Sequence, residues 1–386
     1  MEAEDYDRGF DPVHAGGVMR FDSFPFHIGP TIDPRNPDGL PNTWPFTFGF
    51  DSTRGALVQY ATPELLQVLD RAYRVGQLFG TPLDDRSGKP YSEDFLAFID
   101  ESATPGGQRA LEIGAGVGYI TRRLVDNGWR ATGIEPGKGY TEYWERYDVE
   151  IINEYFPNAR TPGPFDLICS CGVLEHIADP EVFLINIRER LAPGGAAIFS
   201  VPDCTEEIEA GDPSILVHEH FTYFNAETLS AMLRRTGFSA VVRKSGYGRC
   251  LHAAAHNREA VGDPVQRDDL AHLMSYPHRT GSYIAMVRER LSELLGNGSV
   301  GIYCPARALG ILDPGMELRF FDDDMTQQNK FLPPFTPPIE SRASLLADPV
   351  ETVIVMSRTF GEQIRNSLKN SGYTGRIIVL SDYEAP

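Results

Sequence analysis

The sequence is most informative at Leu111-Glu112-Ile113-Gly114-Ala115-Gly116-Val117-Gly118-Tyr119-Ile120, where a short apolar run meets three alternating glycines. The apolar run predicts a strand, and Ile120 to Asn127 predict a helix. Glycine suits the turn between them, because it adopts backbone angles that other residues avoid and lets a ligand touch bare backbone. The pattern therefore predicts a strand, a ligand-binding turn and a helix.

An acidic residue stands where a nucleoside site needs one. Glu135 ends the next apolar run, Arg130 to Ile134, which predicts a second strand. In folds of this kind a carboxylate about 20 residues beyond the glycines binds the ribose hydroxyls. The glycine turn and Glu135 together predict a nucleoside ligand.

The chemistry of the turn narrows the choice of nucleoside ligand. A dinucleotide site spaces its glycines G-x-G-x-x-G to receive a pyrophosphate, whereas this spacing is G-x-G-x-G, with no basic residue in the loop. Glu112, just before the loop, would repel a pyrophosphate and suits a cation. S-adenosylmethionine carries a sulfonium and an ammonium group and no phosphate, so it fits better.

Later segments follow in the same order. Pro164 to Ser170 predicts a buried fourth strand, Gly172 to Ile177 follows it, and Arg190 to Gly195 forms a turn before the apolar strand Ala196 to Val201. Over roughly residues 105 to 203 the chain resembles the class I S-adenosylmethionine-dependent methyltransferases. This resemblance implies a Rossmann-like α/β fold and S-adenosylmethionine as cofactor. The expected cofactor-binding residues are Glu112, Gly114, Ala115, Gly116, Tyr119, Glu135, Pro136, Glu154, Tyr155, Phe156 and Cys171.

Composition limits the partners. The chain has 386 residues, and its net charge of −19 argues against nucleic acid or an anionic membrane, since both need a basic face. Five scattered cysteines fit a reducing compartment without a disulfide framework. The acidic N-terminus and the lack of an apolar run of about 18 residues predict a cytoplasmic protein that binds no membrane.

The organisation of the chain predicts three regions. Residues 1–94 are rich in proline and aromatics and also hold helices, and we expect them to act as a substrate lid. Residues 95–257 form the predicted cofactor domain, and residues 258–386 a second, smaller Rossmann-like α/β domain for substrate binding or packing. Its predicted strands are Val300 to Tyr303, Glu317 to Phe321, Val350 to Met356 and Arg376 to Leu380. Its first turn, Cys304 to Gly310, lies where a nucleotide loop would, but Pro305 removes a donor amide, which favours a domain without a nucleotide.

A second resemblance covers this C-terminal region. Gly301 to Asp322, Lys330 to Pro334 and Pro338 to Glu340 look like the C-terminal domain of sugar C-methyltransferases, and His218 to Phe224 is similar to their active-site segment. Those enzymes methylate carbon 3 of nucleotide-linked 4-keto-deoxysugars in antibiotic pathways. Such enzymes usually open with a cysteine-rich zinc module. This chain has no cysteine before Cys169, which weakens the substrate assignment.

Candidate catalytic residues lie in two segments. The resemblance implies His220 as the base that removes a proton, with Glu219 as its partner or a substrate contact. His176 follows the fourth strand, whose carboxyl end faces the ligand crevice, and Tyr223 could stabilise an enolate oxygen. A structural role for these residues stays open. If the segment is extended, His218 and His220 share a face, but a metal site there would need a third ligand, from Asp203, Glu175 or His176, and no metal is expected.

Three functions compete. The leading hypothesis is C-methylation next to the ketone of a nucleotide-linked keto-sugar, through an enolate. The second keeps the fold and cofactor but methylates oxygen or nitrogen of a different secondary metabolite. The third is a cofactor-binding scaffold without catalysis, since fold alone does not prove activity. In each enzymatic case the partner is a small molecule, and the protein is a monomer or a homodimer.

Overall fold

The computed structural model describes residues 18–26, 29–76, 81–83, 88–103, 108–257, 270–307, 309–357 and 360–382. The chain divides into two compact units. Described residues from 50–205 and 219–270 belong to the first unit, and those from 18–49, 206–218 and 271–382 to the second. Within these ranges, no helix is long and apolar enough to cross a lipid bilayer.

Strands and helices alternate over most of the described chain. The strands are β1 (Val18–Pro25), β2 (Thr43–Asp51), β3 (Ala56–Gln59), β4 (Arg109–Ile113), β5 (Arg130–Ile134), β6 (Ile151–Ile152), β7 (Phe165–Cys171), β8 (Leu191–Pro202), β9 (Thr222–Tyr223), β10 (Ser239–Lys244), β11 (Cys250–His256), β12 (Val300–Tyr303), β13 (Leu318–Phe321), β14 (Ile339–Glu340), β15 (Thr352–Val355) and β16 (Arg376–Val379). The helices are α1 (Pro63–Val75), α2 (Gly88–Ser102), α3 (Tyr119–Asp126), α4 (Thr141–Tyr147), α5 (Pro180–Glu189), α6 (Thr205–Ala210), α7 (Ala226–Arg235), α8 (Ala271–Asn297), α9 (Arg342–Ala347) and α10 (Gly361–Asn370).

A seven-stranded sheet organises the first unit, in the order β10-β11-β8-β7-β4-β5-β6. The parallel strands are β8, β7, β4, β5 and β6, while β11 and β10 add an antiparallel edge. The central strands β4 and β7 are almost wholly buried, which explains their continuous apolar sequences. The predicted Rossmann-like α/β fold is confirmed.

Helix boundaries in the first unit follow local capping chemistry. The Thr62 side chain accepts a hydrogen bond from the Leu65 amide and caps α1, which has proline at its first position. Asn225 forms a capping box with Thr228 at the start of α7. At both places the cap and the spacing of the buried apolar residues indicate the same helix.

The second unit contains a five-stranded sheet that is parallel throughout, in the order β14-β13-β12-β15-β16. The predicted strand Val300 to Tyr303 is confirmed, and the other three predicted strands are each somewhat shorter than expected. The sequence analysis missed β14, because Ile339 and Glu340 are too few to show a periodicity. Apolar side chains of α8 and the strands, including Ile284 and Ile302, share one buried cluster.

The N-terminal strands of the second unit pack through aromatic rings. β1 pairs antiparallel with β2, and the rings of Phe24 and Phe46 stack with centroids 4.9 Å apart. Gly310, in a single helical turn after β12, lies under the same ring. A Cβ at Gly310 would approach the Phe24 ring to 2.1 Å.

Substituting Gly310 with alanine should destabilise the second unit. The added methyl has no room, because the Phe24 ring is 3% exposed and held by its neighbours. Overpacking of this kind costs about 1–3 kcal/mol of unfolding free energy, measurable by urea denaturation. Gly296→Ala is the matched control, because a Cβ there meets no atom of the described residues within 4 Å and alanine favours a helix. Equal stability of the two variants would contradict the packing argument.

Candidate active site

The glycine turn has the geometry that its sequence predicts. β4 ends at Ile113, α3 begins at Tyr119, and the glycines between them have left-handed φ angles of 76° at Gly114, 48° at Gly116 and 82° at Gly118. Other residues rarely adopt such angles. A Cβ on Gly116 would meet no described atom within 4 Å, so the space beside the turn is open to a ligand.

Hydrogen bonds fix the Glu135 carboxylate where we expect it to accept hydrogen bonds from a ribose. Its carboxylate receives the amide of Gly116 at 3.0 Å and the amide of Gly137 at 2.7 Å, and the Asn153 side chain donates to its carbonyl at 2.8 Å. Burial raises the pKa of Glu135, and the two amides oppose that shift. The carboxylate therefore spans the glycine turn and the end of β5, where we expect the nucleoside.

Glu112 places a second acid under the turn. It is 2% exposed, and the Thr121 hydroxyl donates to its carboxylate. Burial raises its pKa to about 8, opposed by Thr121 and reinforced by Glu135. A buried acid without a cation suits a positively charged ligand, so the donor set fits S-adenosylmethionine and disfavours a pyrophosphate.

The other predicted cofactor residues occupy varied positions. Ala115 is buried in the turn, and Tyr119 begins α3 with its hydroxyl bonded to Glu93. Pro136 follows Glu135. After β6, Glu154 is exposed, while Phe156 packs its ring against Phe183 with centroids 5.5 Å apart. Burial, with Asp70 and Glu135 nearby, raises the pKa of Tyr155. Cys171 ends β7, where burial raises its pKa. These assignments remain predictions.

Two residues that support the turn were missed. The Trp144 indole donates to the Gly116 carbonyl at 2.7 Å, and Asn153 anchors Glu135 as described. Neither belongs to a motif. Only the apolar spacing of α4 could have marked Trp144 as inward-facing, so the sequence held a signal for its burial and none for its hydrogen bond.

Predicted acceptor-side residues meet just after β7. His176 lies in a helical turn, Leu174–His176, and its ring is perpendicular to that of His220, with centroids 4.8 Å apart. The Tyr73 hydroxyl lies 3.3 Å from His176 Nδ1, and Glu175 Oε1 lies 3.8 Å from His176 Nε2. Tyr73, on α1, was missed because helical periodicity alone does not mark a functional residue.

Two further contacts anchor the chain beside His220. The Phe221 amide donates to the Glu175 carbonyl at 2.7 Å. The Tyr223 ring lies 6.4 Å from the His220 ring, and Tyr223 pairs with Leu57 in the short β3–β9 ladder. The structure thus brings His176, His220 and Tyr223 together, with Glu219 preceding His220 in the chain.

Burial shifts the acids and bases of this cluster in opposite directions. It lowers the pKa of His176 to about 4, although a hydrogen bond to the Glu219 backbone opposes the shift. It raises the pKa of Glu175 to about 8, which Glu219 reinforces, and that of Glu219 to about 7. At neutral pH, His176 is therefore uncharged, and Glu175 is mostly protonated.

His218 does not share a strand face with His220, because residues 218 and 219 form a turn and the strand begins only at Thr222. The expected alternation is therefore wrong. His218 packs against Phe24, Phe26 and Phe46, and its Nε2 lies 3.2 Å from the Trp44 carbonyl. Burial lowers its pKa to about 4. His218 has a structural role in an aromatic cluster.

One group in the described part of the chain has the composition of a metal site. Ligand atoms of Glu175, His176 and His220 all lie within 4.8 Å of one another. The His176 ring, however, already bonds Tyr73 and the backbone of Glu219. A histidine ligand needs one free ring nitrogen. This group therefore favours hydrogen bonding to an acceptor over metal binding.

The first turn of the C-terminal sheet is occupied by its own side chains. Cys304, the residue after β12, has a φ of 56°, and its thiol bonds the buried Asp322, the acid that follows β13. Tyr303 donates to Asp323 at 2.6 Å. Since internal partners satisfy these acids, the geometry supports the expectation that this domain packs without holding a nucleotide here.

Glu135→Gln should weaken S-adenosylmethionine binding about 10- to 100-fold, because hydrogen bonds to a charged group contribute roughly 1.5–3 kcal/mol. Isothermal calorimetry measures the affinity directly. Glu142→Gln, exposed on α4, is the control and should bind as the unsubstituted protein does. An affinity unchanged in Glu135→Gln would contradict the ribose assignment.

Cofactor binding near pH 7 should release a proton from Glu112. Its pKa of about 8 leaves it mostly protonated without ligand, and a sulfonium or ammonium nearby lowers that pKa. Release should fade above pH 9, where the group is already ionised, and at low pH, where it stays protonated in both states. Calorimetry in buffers of different ionisation enthalpy reports the proton. Glu112→Gln should remove the release, and buffer-independent heats in the unsubstituted protein would disprove it.

Comparison with known proteins agrees with this geometry. Residues 86–242 match a family model described as a methyltransferase domain. A ubiquinone biosynthesis O-methyltransferase of Chromobacterium violaceum is 28% identical over 113 residues, 27% of this chain and 49% of that protein. An uncharacterized methyltransferase of Geobacillus kaustophilus is 27% identical over 180 residues, 40% of this chain and 84% of that protein.

A solved structure described as the DhpI-SAM-HEP complex aligns with 50% of this chain and 99% of its own, at 19% identity and a TM-score of 0.41. The chain spans about half the length of the O-methyltransferase relatives it matches. The matched region contains the glycine turn, Glu135 and the Glu175–His176 pair. Over residues 86–242 the chain is therefore similar to methyltransferase domains.

Proposed function

We propose that the protein is a methyltransferase that adds a methyl group to carbon beside the ketone of a nucleotide-linked keto-sugar, with His220 as the base. The observation that supports this most is the His176–His220 pair, 4.8 Å apart. It follows β7 at the carboxyl edge of the sheet, the edge where β4 enters the glycine turn. Ligands of open α/β sheets bind at such edges.

When bound, S-adenosylmethionine supplies an electrophilic methyl group on a sulfonium. The chain must hold its ribose and its cationic end, and we assign these tasks to Glu135 and Glu112. The open space at Gly116 lets the ligand approach the backbone. The neighbouring contacts proposed are Gly114, Ala115, Tyr119, Pro136, Glu154, Tyr155, Phe156 and Cys171.

Proton removal is the task of His220. Neutral imidazole accepts the proton from the carbon beside the ketone, and the electron pair left behind becomes an enolate. His176 stays neutral and holds the backbone of Glu219, which precedes the base, while Tyr73 holds His176. His176 is therefore a positioning residue in this proposal, not a second base.

The remaining roles rest on the resemblance. Glu219 is proposed as the partner of His220 or a substrate contact, and Tyr223 as a donor to the enolate oxygen. For the diphosphate of a sugar nucleotide, the proposed contacts on this unit are the exposed cations Lys244 and Arg249.

A second candidate function is methylation of oxygen or nitrogen in another secondary metabolite. The name of the Chromobacterium violaceum relative, a ubiquinone biosynthesis O-methyltransferase, favours oxygen. A hydroxyl acceptor would also give up its proton to His220, whereas an amine needs only its lone pair. The region boundaries and roles predicted above, the cytoplasmic location and the monomer or homodimer remain predictions.

His220→Gln should lower methyl transfer to a nucleotide-linked 4-keto-deoxysugar by about 10²- to 10⁴-fold, the usual contribution of a general base. Cofactor affinity should stay the same, because His220 acts on the acceptor. Product NMR and mass spectrometry measure the rate and locate the methyl group on carbon, oxygen or nitrogen.

His278→Gln provides the matched control, since His278 is exposed on α8. Full activity of His220→Gln would show that His220 is not the base. A methyl group found on oxygen would establish the second candidate, and failure of every sugar nucleotide to bind would exclude the leading substrate class.

A further inference from the structure

Glu175 is the acid of the cluster whose task is not yet assigned. It lies between β7 and His176 in the turn Leu174–His176 and is 3% exposed. Its Oε1 faces His176, while its Oε2 has no hydrogen-bond partner among the described residues. A buried polar atom without a partner is unfavourable and uncommon in folded proteins, so it indicates a group that a ligand satisfies.

Space for such a ligand exists beside Glu175. Gly172, the residue after β7, has a φ of 67°, and among the described atoms a Cβ there would meet only Glu175 Oε1, at 3.7 Å. The ligand atoms of Glu175, His176 and His220 lie within 4.8 Å of one another. An acceptor that reaches His220 is thus within reach of Glu175 as well.

The surroundings of Glu175 favour its neutral form. No lysine or arginine in the described ranges pairs with it, its nearest nitrogen belongs to the uncharged His176, and the groups whose charges interact with it are acidic or neutral ones. These groups are Glu219, Tyr73, Tyr91 and Cys171. A carboxylic acid in such a site keeps its proton and donates it in a hydrogen bond.

We propose that Glu175 is a catalytic residue whose carboxyl O–H donates a hydrogen bond to the ketone oxygen of the acceptor. His220 removes the proton from the neighbouring carbon at the same time. The inference rests on the proposed function. The carbon-bound proton moves to His220, its electron pair forms the enolate with charge on oxygen, and Glu175 keeps its own proton. Such a donor stabilises charge only as it develops.

Enolisation requires a base at the C–H group beside the ketone and a neutral acid at the ketone oxygen. Methylation of an amine needs neither, and a hydroxyl acceptor has no ketone oxygen to bind. Glu175 therefore links the site to a ketone, which narrows the acceptor class beyond the assignment of His220 alone.

Two substitutions separate hydrogen-bond donation from packing. Glu175→Gln keeps the length and a donor N–H, whereas Glu175→Met keeps the length without a donor. Deuterium exchange at the acceptor carbon in D₂O, followed by NMR with S-adenosylhomocysteine bound, measures enolisation without methyl transfer. We expect exchange to fall about 10²- to 10³-fold in Glu175→Met and much less in Glu175→Gln.

Cofactor affinity and thermal unfolding of both variants should match those of Glu189→Leu, an exposed control at the end of α5. If Glu175→Met does not fold, the infrared stretch of a ¹³C-labelled ketone still tests the inference. The frequency of this stretch should be higher for Glu175→Gln than for the unsubstituted protein, because the glutamine amide is the weaker hydrogen-bond donor.

If the Glu175→Met variant exchanges deuterium as fast as the unsubstituted protein does, the role of Glu175 is overturned and the proposed function still stands. Equal losses in the Gln and Met variants, or an unshifted ketone stretch, would also overturn it. If the unsubstituted protein neither exchanges nor methylates carbon in any keto-sugar nucleotide, the proposed function fails and this inference fails with it.

Discussion

The parallel register of β4, β5 and β7 is the constraint on which the site depends. Ile113 at the end of β4 pairs with Ile134 on one side and Ser170 on the other. The amides of Gly114 and Ala115 then bond the Ile134 carbonyl at 2.8 and 3.2 Å, which starts the turn. Because all three strands end at one edge, the glycine turn, Glu135 and the Gly172–His176 segment follow at the same edge, where the Gly116 amide donates to the Glu135 carboxylate. A slip of one residue would reverse every side chain and separate them.

The parts that the sequence predicts well are those whose chemistry is local. Gly114, Gly116 and Gly118 need φ angles that only glycine adopts readily, and Glu135 follows a strand at a spacing that the fold dictates. His218 shows the opposite case. Its alternation with His220 suggested a strand, but Pro-rich and aromatic neighbours from distant sequence, Phe24 and Phe46, bury its ring instead. Tyr73 and the unpaired oxygen of Glu175 depend on tertiary contacts, and no spacing in the sequence encodes them.

The second sheet has the same parallel strand arrangement but a different first turn. Its first turn has Cys304 with a φ of 56° where the first sheet has glycine, and the thiol satisfies the acid that ends the next strand. Gly310, farther along, lies against the Phe24 ring and leaves no space for a phosphate at that point. Parallel strands covered on both faces keep their packing whether or not the turn binds anything. A shared topology therefore says little about which turn is used, and the chemistry of the turn decides it.

Two buried acids of the first unit begin with the same pKa, about 8 for both Glu112 and Glu175. The ligands proposed for these two acids would shift their pKa values in opposite directions. A cation beside Glu112 stabilises the carboxylate and draws its proton away, so the acid becomes a counter-ion. An oxygen that gains negative charge beside Glu175 destabilises the carboxylate, so the acid keeps its proton and donates a hydrogen bond. In the proposed mechanism neither place needs a basic residue, because the cofactor brings the positive charge and the acceptor develops the negative one.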